Sequence, residues 1–191
     1  MKIDLYGDST QAASGMNTTP AQMLQMKLNA VYGPGVHTVT NFGIGGATIA
    51  DALSSPTHFA AGNIAQHIAT RNADIIVGNW GINDGFIPGN NPGNHLNNYC
   101  ALRNHVMSLG KKFVYQSPNP IKGSSDPHNQ CIGALDAAVK TIPGLIVADI
   151  RNDIYSNFTY WPDQLSDTIH PKQSLCLFVG LYLYFALAPH L

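Results

Sequence analysis

Short apolar runs alternate with helical patterns along the whole chain, and this alternation constrains the fold more than any other feature of the sequence. The runs predict five strands, at residues 3–6, 38–42, 75–79, 112–116 and 145–149. Several of them lack polar alternation, which is typical of strands covered on both faces. Helical patterns separate them, at about 18–32, 58–71, 93–109, 127–141 and 171–188. This order favours a mostly parallel, doubly wound sheet that binds ligands beyond the carboxyl ends of its strands.

The helix boundaries and the length of the chain agree with this interpretation. Thr19 and Pro20 would open the first helix with a cap and a proline at its first position. The 191 residues show no internal repeat or linker, so a single domain covering residues 1–191 is expected. The longest irregular stretch is the amide-rich loop 85–98, which is a candidate border of a binding site.

Composition disfavours several classes of protein. Charged residues make up 11% of the chain, the net charge is −1, and the only adjacent basic pair is Lys111–Lys112, so no nucleic-acid partner is expected. The eleven acidic residues are all Asp, so a two-carboxylate glycosidase would have to use two aspartates. No Cys or His spacing suits a metal. Cys100 and Cys131 could form a disulfide, or all three cysteines could be free thiols.

The two ends of the sequence bear on its location. Asp4 and Gly7–Asp8 interrupt any apolar run at the amino terminus, so no signal peptide is recognisable. The chain is therefore cytoplasmic or, as we slightly favour, extracellular with a leader removed. The apolar run at 175–189 is shorter than a membrane span requires, which favours a buried terminal helix and no span.

Two glycine-containing segments follow the first two predicted strands. Gly7-Asp8-Ser9 places a serine in a glycine-permitted turn, where it could expose its hydroxyl or simply cap a helix. The segment 41–46 fails as a dinucleotide loop because Thr48 stands where the third glycine should be. It is either a tight strand-to-helix turn or a place where the backbone N–H of Gly46 faces an anion.

Two polar segments complete the set. Asn83 in the segment Gly81-Ile82-Asn83-Asp84 could donate its amide to a developing oxyanion, although an Asx turn explains the same residues. His170 lies three residues after Asp167 and directly before the terminal helix. A carboxylate at this spacing could fix the ring nitrogen that a histidine base does not use, or it could cap a turn beside an unrelated histidine.

In this order and across nearly the whole chain, the four segments resemble those of the SGNH, or GDSL-type, hydrolase family. The resemblance implies a three-layer α/β/α sandwich, flavodoxin-like, with a central five-stranded, mostly parallel sheet. It implies Ser9 as nucleophile, His170 as general base and Asp167 as the residue that orients the base. It also implies an oxyanion hole formed by the backbones of Ser9 and Gly46 and the side chain of Asn83, with Gly45 as the alternative to Gly46. The mechanism needs no metal and no other cofactor.

The resemblance leaves the substrate open. A serine esterase that removes acetyl groups from a carbohydrate is expected first, and a short-chain acyl or lipid esterase, similar to a lysophospholipase or thioesterase, is the alternative. A non-catalytic carbohydrate-binding module is the alternative of another class. The partner would be a small-molecule or glycan ester, with the oligomeric state open. Asp8, Asp84, Tyr160 and Trp161 are the predicted substrate-binding residues.

Overall fold

A five-stranded parallel sheet forms the centre of the protein. The structure is a computed structural model that describes residues 1–54, 59, 62–121, 123 and 125–191. The strands are β1 (Lys2–Gly7), β2 (Thr38–Gly43), β3 (Ile75–Asn79), β4 (Lys112–Gln116) and β5 (Ile146–Ala148), in the spatial order β2-β1-β3-β4-β5. All four pairings are parallel. The predicted fold class is therefore confirmed.

Helices connect the strands and cover the sheet. In the described part of the chain they are α1 (Ser9–Ala12), α2 (Pro20–Tyr32), α3 (Ile49–Ser54), α4 (Ile64–Thr70), α5 (Ile82–Gly85), α6 (Pro92–Ser108), α7 (Pro127–Val139), α8 (Ile150–Asn157) and α9 (Gln173–Leu187). Two 3-10 turns, Trp161–Gln164 and Ala188–His190, lie before and after α9.

Local capping explains most differences from the predicted boundaries. The expected loop 85–98 is wrong beyond residue 91, because the Asn91 side chain accepts the Asn94 amide and Pro92 opens α6. Asp149 does not belong to the last strand; its side chain accepts the Asn152 amide and caps α8, which the sequence did not predict. Of the predicted helix 58–71, the structure gives α4, and residues 58, 60 and 61 lie outside the described residues.

The two faces of the sheet pack into separate hydrophobic clusters. Side chains alternate along each strand, so Ile75 and Val77 of β3 face the cluster that contains α2, α8 and α9, whereas Ile76 faces α4 and α6. Both clusters consist mainly of fully buried side chains. This two-sided burial is the reason why the strands read as continuous apolar runs.

The carboxyl-terminal helix buries one side against the sheet. Leu175, Val179 and Leu183 are spaced by four residues and lie in the α2-side cluster. By length and composition alone, the stretch Gln173–His190 is apolar enough to cross a membrane, and a third of it is buried. The expectation that this run is too short to span a membrane is therefore wrong, and its length alone does not distinguish a buried helix from a membrane span.

The cysteine alternatives are resolved in favour of thiols. Cys100, Cys131 and Cys176 are all free, and only Cys176 is fully buried.

Candidate active site

Ser9 lies where β1 ends and α1 begins. Asp8 caps α1 by accepting hydrogen bonds at Oδ1 from the Thr10 amide (2.9 Å) and hydroxyl (2.7 Å). Gly43 at the end of β2 packs against α1 so closely that a Cβ there would lie 2.8 Å from the Ala12 Cα and nearer still to its amide nitrogen. The missing side chain lets α1 lie against β2, and this contact fixes the start of the helix that carries Ser9.

His170 connects Ser9 to Asp167, residues that are far apart in the sequence. The distance from His170 Nε2 to Ser9 Oγ is 3.0 Å, and that from His170 Nδ1 to Asp167 Oδ2 is 2.8 Å. With a proton on Nδ1, the ring donates to Asp167 and accepts the serine hydroxyl at Nε2. This geometry suits transfer of the hydroxyl proton to the ring.

Asp167 also holds the loop that carries the histidine. Its Oδ1 accepts the backbone amides of Ile169 and His170, each at 2.7 Å. Burial alone would raise the pKa of Asp167, but the hydrogen bonds from the His170 backbone and ring and from Ile169 outweigh it and lower the pKa to about 2. The carboxylate is therefore ionised at neutral pH and can favour a positive charge on the imidazole.

The segment after β2 folds into a four-residue turn closed by a 3.2 Å hydrogen bond from the Ala47 amide to the Ile44 carbonyl. Gly46 occupies its third position with φ +77°, as in a type II turn, where glycine is favoured. Asn83 lies against this turn, because its side-chain amide donates to the Ala47 carbonyl at 3.0 Å. That bond uses one of the two amide hydrogens and leaves the other available to an oxyanion.

A cavity of about 290 Å³ adjoins the serine. Ser9, Asp167 and His170 all line it, and Gly45 rather than Gly46 contributes to its wall. Ala12, Ala13, Ser14 and Met16, which follow Ser9 in the chain, also line the cavity. These lining residues could not be predicted from the sequence, because their side chains carry no recognisable chemistry; their only signal is that they directly follow Ser9.

Ala13 has an unusual backbone conformation. With φ +44°, it is the one non-glycine residue of the described chain with a positive φ, and it ends α1. Left-handed backbone is costly for residues with a Cβ and often occurs at functional sites.

Asp8 and Trp161 were predicted to contact the substrate, but both side chains are buried, which contradicts these two predictions. Asp8 is inaccessible to solvent beneath α1, and Trp161 is buried in the α2-side cluster with its ring edge-on to Tyr155 at 5.9 Å. Asp84 is also buried; it accepts the Ile49 amide at 3.2 Å and borders a second cavity rather than the one beside Ser9. Tyr160 is 64% exposed but does not line the cavity beside Ser9.

The buried Asp8 carboxylate is electrostatically coupled to the site. Burial raises its pKa to about 6, although hydrogen bonds from Thr10 act in the opposite direction. The neighbouring charge of Asp84 raises the pKa further, and His170 lowers it. Asp8 therefore supports the structure around Ser9 and contributes negative potential near His170.

Among the residues that the structure describes, no three His, Cys or Asp side chains lie close enough together to hold a metal ion.

The central sheet is parallel and covered by helices, and a serine, a histidine and an aspartate joined by hydrogen bonds lie at its carboxyl edge, an arrangement typical of hydrolases with a serine nucleophile. Residues 5–174 match the family model of the GDSL-like Lipase/Acylhydrolase family. The chain belongs to this family, for which a catalytic triad and an oxyanion hole are typical. It is accordingly a carboxylic ester hydrolase and not a non-catalytic binding module.

Solved structures with the same fold include three esterases or hydrolases. The acetyl xylan esterase AlAXEase has a TM-score of 0.80 at 17% identity, covering 98% of this chain and all of that one. LAE5, an alpha/beta hydrolase enzyme from the metagenome of Lake Arreo, has a TM-score of 0.77 at 18% identity, covering 98% and 94%. Axe2, an acetylxylan esterase from Geobacillus stearothermophilus, has a TM-score of 0.75 at 18% identity, covering 98% and 92%. Among curated proteins, none matches the chain.

Proposed function

We propose that the protein is a serine esterase that removes acetyl groups from a carbohydrate, with Ser9 as nucleophile, His170 as general base and Asp167 as its orienting carboxylate. The observation that carries this proposal is the position of His170, with one ring nitrogen 3.0 Å from Ser9 Oγ and the other 2.8 Å from Asp167. The second contact fixes the tautomer in which Nε2 is free to accept a proton.

The reaction proceeds by two acyl transfers. His170 takes the Ser9 proton as Oγ attacks the ester carbonyl, and the resulting oxyanion receives hydrogen bonds from the backbones of Ser9 and Gly46 and from Asn83. His170 then returns the proton to the departing sugar hydroxyl as the ester C–O bond breaks. A water molecule next attacks the acetyl-serine and gives its proton to His170. His170 returns that proton to Ser9 Oγ as the acyl C–O bond breaks, which releases acetate and restores free Ser9.

Two features support a small acyl group on a polar alcohol. Four asparagines line the second cavity, which Asp84 borders, and neutral amides suit hydroxyl groups. Two of the structurally similar proteins are acetyl xylan esterases, although at this low sequence identity the similarity establishes a shared fold only. Both features agree with an acetylated glycan as substrate.

One observation favours a second candidate, a short-chain acyl esterase. The cavity beside Ser9 has an apolar part formed by Ala12, Ala13, Met16 and Pro171, and about 290 Å³ is more space than an acetyl group fills. An acyl chain of several carbons could bind there in place of a sugar ring.

A series of nitrophenyl esters from acetyl to octanoyl, measured beside acetate release from acetylated xylo-oligosaccharides, separates the two candidates. For an acetylesterase we expect the highest kcat/KM with acetyl and release of acetate from the glycan. A kcat/KM that rises with chain length, with no acetate released from the glycan, would establish the acyl esterase instead. Ser9→Ala is the control that reports non-enzymatic hydrolysis.

A further inference from the structure

A second cavity of about 540 Å³ is bordered by the segment that follows β2 and by the loop and helix after Asp84. Gly45 of that segment borders the cavity beside Ser9, and Ala50 borders the second one. Five residues of chain span at most about 17 Å, and part of this segment is helical, so the two cavities are close together. Two adjacent residues also place the cavities close together: Asn83 contacts the glycine turn that borders the first cavity, and Asp84 lines the second one.

Asparagines dominate the walls of this cavity. Five of the seventeen asparagines of the chain lie between residues 90 and 98. Asn94, Asn97 and Asn98 follow the i, i+3, i+4 spacing of one helix face on α6, and all three line the cavity with Asn90. The side chains of Asn94, Asn97 and Asn98 make no hydrogen bond to any other residue that the structure describes, so their donors and acceptors are available to a ligand.

The loop opposite α6 is held in place by its own hydrogen bonds. The Asn90 side-chain amide donates to the Asp84 backbone carbonyl at 3.0 Å, and the Asn90 backbone N–H donates to the Ile87 backbone carbonyl at 3.1 Å. Ile87 is 45% exposed and lies at this wall. The cavity therefore combines a preformed apolar edge with a row of unpaired amides.

The charge of the walls narrows the class of ligand. Asp84 is the only ionisable side chain among the lining residues; it is buried, and its carboxylate is bonded to the Ile49 amide. Neutral amides offer both donors and acceptors, as sugar hydroxyls do, whereas an anion or a cation would find no opposite charge that is free. An exposed Ile87 can cover the C–H face of a pyranose ring.

We propose that this second cavity is a distal sugar subsite, in which Asn94, Asn97 and Asn98 bind an unesterified residue of an oligosaccharide whose acetyl group lies at Ser9. This inference rests on the proposed carbohydrate deacetylase function and deepens it: the substrate is an acetylated oligosaccharide rather than an acetylated monosaccharide. Binding in the distal cavity would then contribute to the KM for long substrates and have no effect on small esters.

The test compares the triple variant N94A/N97A/N98A with wild type on p-nitrophenyl acetate, acetylated xylose and acetylated xylo-oligosaccharides of two to six units. We expect the KM for the longer oligosaccharides to rise about tenfold, as when one or two net hydrogen bonds are lost. Both kcat and the two small-substrate KM values should be unchanged. Asn104→Ala is the matched control, because Asn104 is an exposed asparagine of the same helix outside the cavity. Melting temperatures establish that every variant is folded.

The outcomes separate this subsite from the proposed function. The subsite is wrong, and the deacetylase function stands, if wild type and the triple variant deacetylate long oligosaccharides with the same KM. The same conclusion follows if the KM of the variant for p-nitrophenyl acetate rises as much as its KM for the oligosaccharides. If wild type hydrolyses p-nitrophenyl acetate but releases no acetate from any oligosaccharide, the carbohydrate function is wrong as well. Titration of unacetylated xylotetraose into the wild-type protein gives an independent result: side-chain NH₂ resonances of the three asparagines should shift, and unshifted resonances would overturn the subsite.

Discussion

Replacing Asp8 by Asn removes a charge that no solvent reaches while it retains the side-chain oxygen that caps α1. The pKa of Asp8 is raised from 3.8 to about 6, chiefly by burial, so the folded protein binds this proton more tightly than the unfolded chain does. The free energy of unfolding must therefore fall as the pH rises from about 4 to about 6. Above that window the ionised carboxylate costs the folded state about 3 kcal/mol.

The expected change in stability has two parts, and only one depends on pH. At pH 7 the substitution removes the cost of the buried charge, which is about 3 kcal/mol. At pH 4 Asp8 of the folded wild type is already protonated, so the substitution removes less than about 1 kcal/mol. Asp8 Oδ2 has no hydrogen-bond partner, so the amide that replaces it would also be unpaired, at a cost of about 1–3 kcal/mol at either pH. The difference between the two pH values, about 2 kcal/mol, isolates the charge.

Urea unfolding of wild type and Asp8→Asn at pH 4 and pH 7 measures this difference directly. We expect the free energy of unfolding of the variant, relative to wild type, to be about 2 kcal/mol higher at pH 7 than at pH 4. The same relative stability at both pH values would show that Asp8 does not titrate as a buried acid and would refute the reasoning.

Three further substitutions, one of them paired with a control variant, test other parts of the site. Asn83→Ala removes a predicted oxyanion donor, so kcat should fall by roughly 10²–10³ with little change in KM in steady-state kinetics; an unchanged kcat would leave Asn83 as a brace of the Ala47 turn. Gly43→Ala should cost about 1–3 kcal/mol in urea unfolding and lower kcat, because the new Cβ meets the Ala12 backbone. Gly45→Ala is the control for the unfolding measurement alone, since no atom lies within 4 Å of a Cβ there; an equal loss of unfolding free energy in the two variants would contradict the packing argument. Ala13→Gly should raise the free energy of unfolding by about 1 kcal/mol by relieving the left-handed backbone, and a loss of stability would contradict that strain.

The central strands β3 and β4 could be predicted from the sequence because burial on both faces leaves nearly uninterrupted apolar runs. The last strand shows the limit of this signal: the apolar run continues from Leu145 into Ile150, but Asp149 turns the chain by capping α8. Helix α8 itself was missed because few of its residues are buried, so its apolar stripe is too short to show a helical period.

The site could be predicted only where a residue type carries chemistry. Ser9, Asp167 and His170 were selected by the order of their segments, and the topology brings them within hydrogen-bonding distance across 161 residues. The sequence could not show that Asp8 lies beneath Ser9 rather than beside a substrate, because burial depends on how α1 packs against β2. It also gave no sign of the wall formed by Ala13 and its neighbours, since that wall depends on the left-handed turn that ends α1.

Covalent labelling of Ser9 is the most direct test of the proposed mechanism. Incubation with a fluorophosphonate, followed by digestion and mass spectrometry, should give one adduct per chain on the peptide that contains Ser9, with loss of activity in proportion to labelling. Folded Ser9→Ala should be neither labelled nor active. Full inactivation with the adduct on another residue, or a folded Ser9→Ala protein that retains esterase activity, would contradict the assignment of Ser9 as the nucleophile.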